Sequence, residues 1–324
     1  MAINIGIDMG TSSTLIYVRG KGVVLKEPTI VAFDRDTNKS RAFGEEARAL
    51  LERASGSIIA IRPLQKGAIA DYTVAEEMLG YFISKALGRR TLSKPNIYIN
   101  VQEHVTEVER KAAIEAAYGA GARDVVVVRE PIAAAIGIGL DMAKPFGNML
   151  VDIGGGTTDV AIVSLGGVVV SESIKVAGND MDEAILQYIK QTHDVVIGEK
   201  MAEDIKIKIG SAFPLIEDEF MIVTGRDVNS GLPREVEVTS GEIESLVVEK
   251  ANLIIDTIIS VLEQAPPEVS VDILERGIIL TGGGSLLRGL DELIEERTGI
   301  HTVKVEDPLL VIAKGTGRYS EVME

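Results

Sequence analysis

Two aspartates, Asp8 and Asp152, each end an apolar run and each open a turn of glycines and hydroxyl residues: Asp8-Met-Gly-Thr-Ser-Ser-Thr14 and Asp152-Ile-Gly-Gly-Gly-Thr-Thr158. Such a turn offers backbone N–H groups with no side chain in the way, hydroxyl donors beside them, and a carboxylate at its mouth. That set suits a polyphosphate accompanied by Mg²⁺, because carboxylates match a hard cation that gives up its waters reluctantly. Either turn alone is equally an ordinary Gly-rich connection between strands. The repetition favours the phosphate reading: each turn is followed by a second apolar strand, Thr14-Leu-Ile-Tyr-Val18 and Val160-Ala-Ile-Val163, so the chain reads as internally duplicated.

Other phosphate loops are excluded by spacing. No Gly-Lys-Ser/Thr opens a helix, as a P-loop requires, and no Gly-x-Gly-x-x-Gly stands between a strand and a helix. Strands, not helices, follow both aspartates. Two strand–turn–strand units facing each other across a cleft are the remaining arrangement, with Asp8 and Asp152 holding Mg²⁺ largely through its waters.

The elements that would carry these turns follow from the rest of the chain. With 324 residues, 46% of them hydrophobic, the chain has material for two domains. A net charge of -16 excludes a general nucleic-acid binder, whose phosphate affinity comes from clustered Lys and Arg. Cysteine is absent, which removes disulfides and thiolate metal sites. No apolar run approaches the ~18 residues of a membrane span, and Met1-Ala2 leads directly into a strand without a leader-like segment, so a cytoplasmic protein is expected.

Alternation at Ile3, Ile5 and Ile7 predicts a strand, with 14–18 and 23–25 continuing a meander. The charged stretch 34–57 reads as an insertion with one short helix at 45–53. Strands are expected at 58–61, 97–101, 125–128, 160–163, 168–170 and 278–280. Helices are expected at 74–87, 106–120, 133–140, 180–191, 201–209, 240–262 and 286–297. Capping boxes Thr106/Glu109 and Thr239/Glu242 mark two of the helix starts. A hairpin over 220–238, turning at Asn229-Ser-Gly231, reads as a second small insertion, and Pro266-Pro267 stops the long helix. Both halves thus read as an α/β core with one peripheral insertion. The helix 133–140 is made of small residues, which lets another element approach closely. His104, His193 and His301 are scattered without ligand-like spacing.

These motifs, in this order, resemble those of the superfamily of actin, heat-shock-chaperone and sugar-kinase ATPases, and within it the MreB/Mbl family of bacterial actins. The resemblance covers nearly the whole chain. It rests on the two Asp/Gly/Thr turns, on Arg129-Glu-Pro-Ile-Ala-Ala-Ala-Ile-Gly137, on Ile197-Gly-Glu-Lys-Met-Ala-Glu-Asp-Ile-Lys-Ile-Lys-Ile-Gly-Ser211, on Leu280-Thr-Gly-Gly-Gly-Ser285, and on Asp307-Pro308 with Gly315-Thr-Gly317. Ile61-Arg-Pro-Leu-Gln-Lys-Gly-Ala-Ile-Ala-Asp71 and Gly225-Arg-Asp-Val-Asn-Ser-Gly-Leu-Pro233 match the MreB/Mbl family more closely than the chaperones or kinases.

The resemblance implies an α/β, actin-like ATPase fold: two duplicated ribonuclease H-like domains, each with a small insertion subdomain, around a nucleotide cleft. The first domain would comprise 1–32, 76–141 and 309–324 with insertion 33–75, and the second 142–178 and 247–308 with insertion 179–246. It further implies that Gly10, Thr11, Ser12 and Ser13 hold ATP or ADP phosphates from one side and Gly154, Gly155, Gly156 and Thr157 from the other, with Asp8 and Asp152 at the Mg²⁺. Glu130 would position the attacking water with Thr157 nearby; the same glutamate also suits a helix N-terminus. Glu203 and Lys206 would meet the ribose, or else form an intrahelical ion pair. Gly282, Gly283 and Gly284, followed by Ser285, would let backbone approach the adenine. Ser13 stands where the family usually has Asn, and Gln102-Glu103-His104 replaces its usual Pro-Ser-Gly.

The function so implied is that of a slow, Mg-dependent ATPase whose hydrolysis times the turnover of homopolymeric filaments beneath the membrane, together with shape-determining and cell-wall synthesis proteins. A loop at Leu92, flanked by Arg90 and Lys94, is a candidate peripheral membrane contact or an ordinary surface loop. The rivals on the same fold are a small-molecule kinase, which would need a substrate pocket with a catalytic base, and a plasmid-segregation actin.

Overall fold

The computed structural model describes residues 3–51, 53, 56–88 and 94–323. The chain divides into two compact units, residues 1–146, 163–171 and 309–324, and residues 147–162 and 172–308.

The first unit is built on a five-stranded sheet running, edge to edge, Asp124–Arg129, Asn96–Val101, Asn4–Met9, Ser13–Val18 and Gly22–Pro28. Asn4–Met9 is antiparallel to Ser13–Val18 and parallel to Asn96–Val101, which is in turn parallel to Asp124–Arg129. The alternating isoleucines Ile5 and Ile7 are buried and join a core with Met78, Leu79 and Phe82 of the helix Tyr72–Leu87. The helix Glu107–Gly119 starts on the predicted capping box: Glu109 N donates to Thr106 Oγ1 at 3.2 Å and Thr106 N to Glu109 Oε2 at 2.7 Å. The small-residue helix begins three residues earlier than expected, at Glu130, because Pro131 is pre-set for a first turn and needs no amide partner there. It packs on the closing helix Val311–Val322 at backbone contact: a Cβ on Gly315 would lie 1.7 Å from Ala133 O, and one on Gly137 2.1 Å from Val311 O.

The second sheet runs Gly167–Ile174, Thr158–Ser164, Asn148–Ile153, Ile278–Thr281 and Thr302–Lys304. In both sheets the strands therefore stand in the order third, second, first, fourth, fifth along the chain, and the first, fourth and fifth are parallel. The duplication read from two motifs extends to the topology. Thr158–Ser164 and Gly167–Ile174 are joined by Leu165-Gly166 with φ of 49° and 71°, the paired positive angles of a type I′ hairpin turn.

The second unit shows where sequence expectation and structure part. The double proline does stop the long helix Ser240–Gln264, but Pro267 also opens another, Pro267–Arg276, in the first-turn position that tolerates proline. The helix expected from 286 starts at Leu290, since Gly283–Leu286 forms a 3₁₀ turn first. The helix expected from 180 starts at Gly178 and runs to His193.

Each unit carries a further three-stranded sheet, Lys39–Phe43, Val31–Asp34 and Ile58–Ile61 in the first and Val195–Val196, Phe220–Asp227 and Pro233–Thr239 in the second. Their hairpin turns are the same device. Asp34 Oδ1 accepts from Asp36 N and Thr37 N while its other oxygen takes Arg41; Asp227 Oδ1 accepts from Asn229 N and Ser230 N while its other oxygen takes Arg234. The following residue takes the left-handed region in both, Asn38 at φ 54° and Gly231 at φ 72°. Backbone donors and a guanidinium hold each of the two carboxyls down at about 2.

Candidate functional site

The two Asp/Gly/Thr turns close with the same hydrogen bond. Gly10 N donates to Ser13 O at 3.0 Å, and Gly154 N donates to Thr157 O at 2.9 Å. Both first positions are tight, since a Cβ would sit 3.0 Å from Ser13 O and 3.2 Å from Thr157 O. Each turn stands at the C-terminal ends of parallel strands, the edge of an α/β sheet where ligands bind. In the first unit, the ends of Asn4–Met9, Asn96–Val101 and Asp124–Arg129 bring the turn to the same edge as Glu130, and Asn100 Oδ1 accepts from Met9 N at 3.2 Å. In the second, Asp152 pairs across the sheet with Thr281, so the turn 154–157 and the loop 282–285 share one edge.

The first turn is braced by hydroxyls. Thr29 Oγ1 donates to Gly10 O at 2.8 Å and lies 3.0 Å from Thr14 Oγ1, with both threonines buried, and Thr29 N donates to Ser12 O. Thr11, also buried, accepts from Gly67 N at 3.0 Å, so the short hairpin of Leu64–Gln65 and Ala68–Ile69 rests on the turn. Asp8, Gly10, Ser12 and Ser13 are half-buried, and so is Glu130 as first residue of its helix. The preceding Arg129 is held by Glu103 through Nε at 2.7 Å and a second contact from Nη2, and this pairing raises the guanidinium pKa further.

The second turn is braced by a helix start. Gly178 N donates to Gly154 O at 3.2 Å and Asn179 N to Gly155 O at 2.8 Å, while Thr158 Oγ1 donates to Val176 O at 2.8 Å. Gly156 is buried, whereas Asp152, Gly154, Gly155 and Thr157 are half-buried. Lys206 reaches the same place: its Nζ donates to Gly178 O at 2.9 Å and pairs with Asp182 at 2.8 Å. Glu203 faces another way, accepting from Lys200 at 3.0 Å, so Glu203 and Lys206 do not form the intrahelical pair considered from their spacing.

The glycines of the third loop have a local reason. A Cβ on Gly282, whose φ is +80°, would lie 2.4 Å from Asp152 Oδ1 and 2.4 Å from Ile153 O, and one on Gly284 would lie 2.3 Å from Ile153 Cγ2. Ser285 closes its own loop, donating to Gly282 O at 2.7 Å, and Gly282 N donates to Pro308 O at 3.2 Å. The three histidines sit on separate partners: His104 on Ser171, His193 on Glu242 and His301 on Glu295. Among the described residues no three His, Asp or Glu side chains gather as a metal-binding group. The Leu92 loop lies outside the described residues.

Thr29, Gly67 and Asp182 escape sequence reading. Thr29 Oγ1 and Gly67 N reach the first turn from 19 and 56 residues away, and Asp182 meets Lys206 across 24, so no local spacing marks any of them.

Two duplicated α/β units, each with the same five-strand order and the same Asp-Gly-Thr turn, define an actin-like protein. The MreB/Mbl protein family model matches residues 2–324. The cell shape-determining protein Mbl of Bacillus cereus is 49% identical over 316 residues, covering 98% of this chain and 95% of that protein. The cell shape-determining protein MreB of Escherichia coli is 45% identical over 326 residues, covering 99% and 94%. Crystal structures of MreB5 of Spiroplasma citri, bound to ADP in one case and AMPPNP in the other, superpose with a TM-score of 0.93 at 36% identity, covering 100% of this chain and 97% of theirs. The chain belongs to the MreB/Mbl family.

Proposed function

We propose that this chain is an ATP-dependent, filament-forming bacterial actin that takes part in determining cell shape. The observation that carries the nucleotide part is the matched pair of turns at the ligand-binding edges of two equivalent sheets, with the MreB5 structures bound to ADP and AMPPNP as support by likeness. Gly10 to Ser13 and Gly154 to Thr157 supply N–H and hydroxyl donors to the phosphates. The loop from Gly282 to Ser285 serves the adenosine. Asp8 and Asp152, half-exposed carboxylates at strand ends, fit Mg²⁺ held through its waters. The chemistry such an ion supplies is charge neutralisation on the phosphate oxygens.

Glu130 orients and polarises the attacking water, and Thr157 serves the same step. Phosphoryl transfer is dominated by positioning and electrostatics, which makes a slow, assembly-coupled hydrolysis compatible with so small a set of groups. Assembly is head-to-tail, since contacts that do not close on themselves give filaments. Cell-wall synthesis and shape-determining proteins are the expected partners, and the inner membrane surface the expected location, with the Leu92 loop as one contact.

Sedimentation and electron microscopy with Mg-ATP, with ADP and without nucleotide test this reading. Filaments that depend on ATP, with phosphate released after assembly, are expected. Absence of filaments under all three conditions, with phosphate transferred to a small substrate, would establish a kinase instead.

A further inference from the structure

The strand Asn96–Val101 lies between the strands that lead to the first turn and to Glu130, and the residues at its end hold both neighbours. On one side Asn100 Oδ1 accepts from Met9 N at 3.2 Å, beside Asp8. On the other, Glu103 grips Arg129 with both oxygens: Oε2 accepts from Nε at 2.7 Å, and Oε1 accepts from Nη2. Val101 and Arg129 are register partners on parallel strands, so this grip ties one strand end to the next. The Glu103 carboxylate is enclosed, with a side-chain exposure of 12%, while the guanidinium is half-exposed. Arg129 is also the residue from which the helix Glu130–Gly137 departs, and no side chain caps that start. The direction in which the first turn leaves the sheet is therefore set by the strand end, and Glu103 fixes the strand end. A guanidinium at a helix N-terminus opposes the helix dipole, and a two-oxygen partner neutralises it there. Glu103 belongs to Gln102-Glu103-His104, the tripeptide at which this chain departs from the motif it otherwise resembles.

We infer that Glu103 is a positioning residue for Glu130: by gripping Arg129 with both oxygens it fixes the strand-to-helix junction from which the Glu130 carboxylate is presented at the edge shared with the first turn. This rests on the reading of Glu130 as the group that orients the attacking water. Glu103 acts through Arg129 and not on the water. Because Asn100 ties the same strand end to Met9, the strand Asn96–Val101 is a common base for the turn and for the glutamate. Orienting a water tolerates little displacement, since a shift of about 1 Å in a positioned group already costs rate steeply. An amide at position 103 would offer one acceptor in place of two and no opposite charge, so the guanidinium would turn toward water and the junction would loosen. The released guanidinium would also compete for the carboxylate of Glu130.

The test measures Mg-ATP binding, filament sedimentation and single-turnover phosphate release for the full chain, Glu103→Gln, Arg129→Met, the two combined, and Glu130→Ala, each first checked for native circular dichroism. Glu103→Gln and Arg129→Met are each expected to slow release by about tenfold, with Mg-ATP binding and sedimentation as in the parent chain. The combined variant should be no slower than either alone, because the two side chains act as one unit. The inference is overturned if Glu103→Gln releases phosphate at the parental rate while Glu130→Ala is slow. It is overturned equally if Mg-ATP binding weakens in step with release, the sign of a general structural role, or if the two losses multiply in the combined variant. Parental release by Glu130→Ala would remove the water-positioning reading itself, and this inference with it.

Discussion

Gly10 N reaches Ser13 O at 3.0 Å and Gly154 N reaches Thr157 O at 2.9 Å, yet what stands behind these two equivalent bonds is different in kind. The first turn is backed by neutral hydroxyls, Thr29 and Thr14, and by the amide of Gly67 on Thr11. The second is backed by the amides of a helix start and by the ion pair of Lys206 and Asp182. Duplication has kept the strand order and the turn, the parts that bring donors to one point in space. The bracing has diverged, because a buried carbonyl needs only some donor, and a hydroxyl, an amide or an ammonium can supply it. A neutral brace is insensitive to salt and pH, whereas the pair in the second unit carries the cost of two desolvated charges and becomes a weak point when one is removed.

Substitutions should separate the two sides. Gly282→Ala is expected to do most damage, since its Cβ would meet Ile153 O at 2.4 Å with φ at +80° and ψ at 163°, a region reserved for glycine. A loss of about 3 kcal/mol in urea unfolding is expected from overpacking plus backbone strain. In amide exchange, the turn from Gly154 should lose protection while the turn from Gly10 keeps it. Thr29→Val reverses the pattern at a smaller cost, about 1–2 kcal/mol, because Gly10 O and the Thr14 hydroxyl lose a buried partner. Loosening of both turns by either substitution would show that the two braces are not independent.

The smallest effect is acid sensitivity of the insertion hairpins, where the units agree. Asp34 and Asp227 titrate at about 2, below the ordinary 3.8. A depressed carboxyl stabilises the fold above its unfolded value, and that contribution fades as pH falls from about 4 through about 2. Both hairpins should therefore open over the same acid window, and Asp227→Asn should make only the second indifferent to it. The check is amide exchange of residues 227–231 against 34–38 between pH 5 and pH 2.

The strands and helix starts were legible because their signals are local. Alternation at Ile5 and Ile7, the capping boxes at Thr106 and Thr239, and the two Asp-Gly-Thr turns each lie within a few residues. Lys39–Phe43 was hidden by its charge: Lys39 and Arg41 face outward on a short strand, and the helical pattern that follows dominates. The repeated Asp34/Arg41 and Asp227/Arg234 device was present in the sequence at the same seven-residue spacing, but nothing local distinguishes it from scattered surface charge. At the site, the residues that line the turns were readable by type, whereas those that brace them depend on long-range placement. Lys206 shows the difference most clearly: its spacing in the helix suggested Glu203 as the partner, and the carboxylate it meets is Asp182, 24 positions away.

The claim that both turns are phosphate turns of one ATPase is tested most directly by hydrogen exchange of peptides spanning residues 8–14 and 152–158, with and without Mg-ATP. Protection gained in both peptides at the same ATP concentration is the predicted result. Protection confined to one peptide, or absent from both while ATP binds elsewhere, would contradict it.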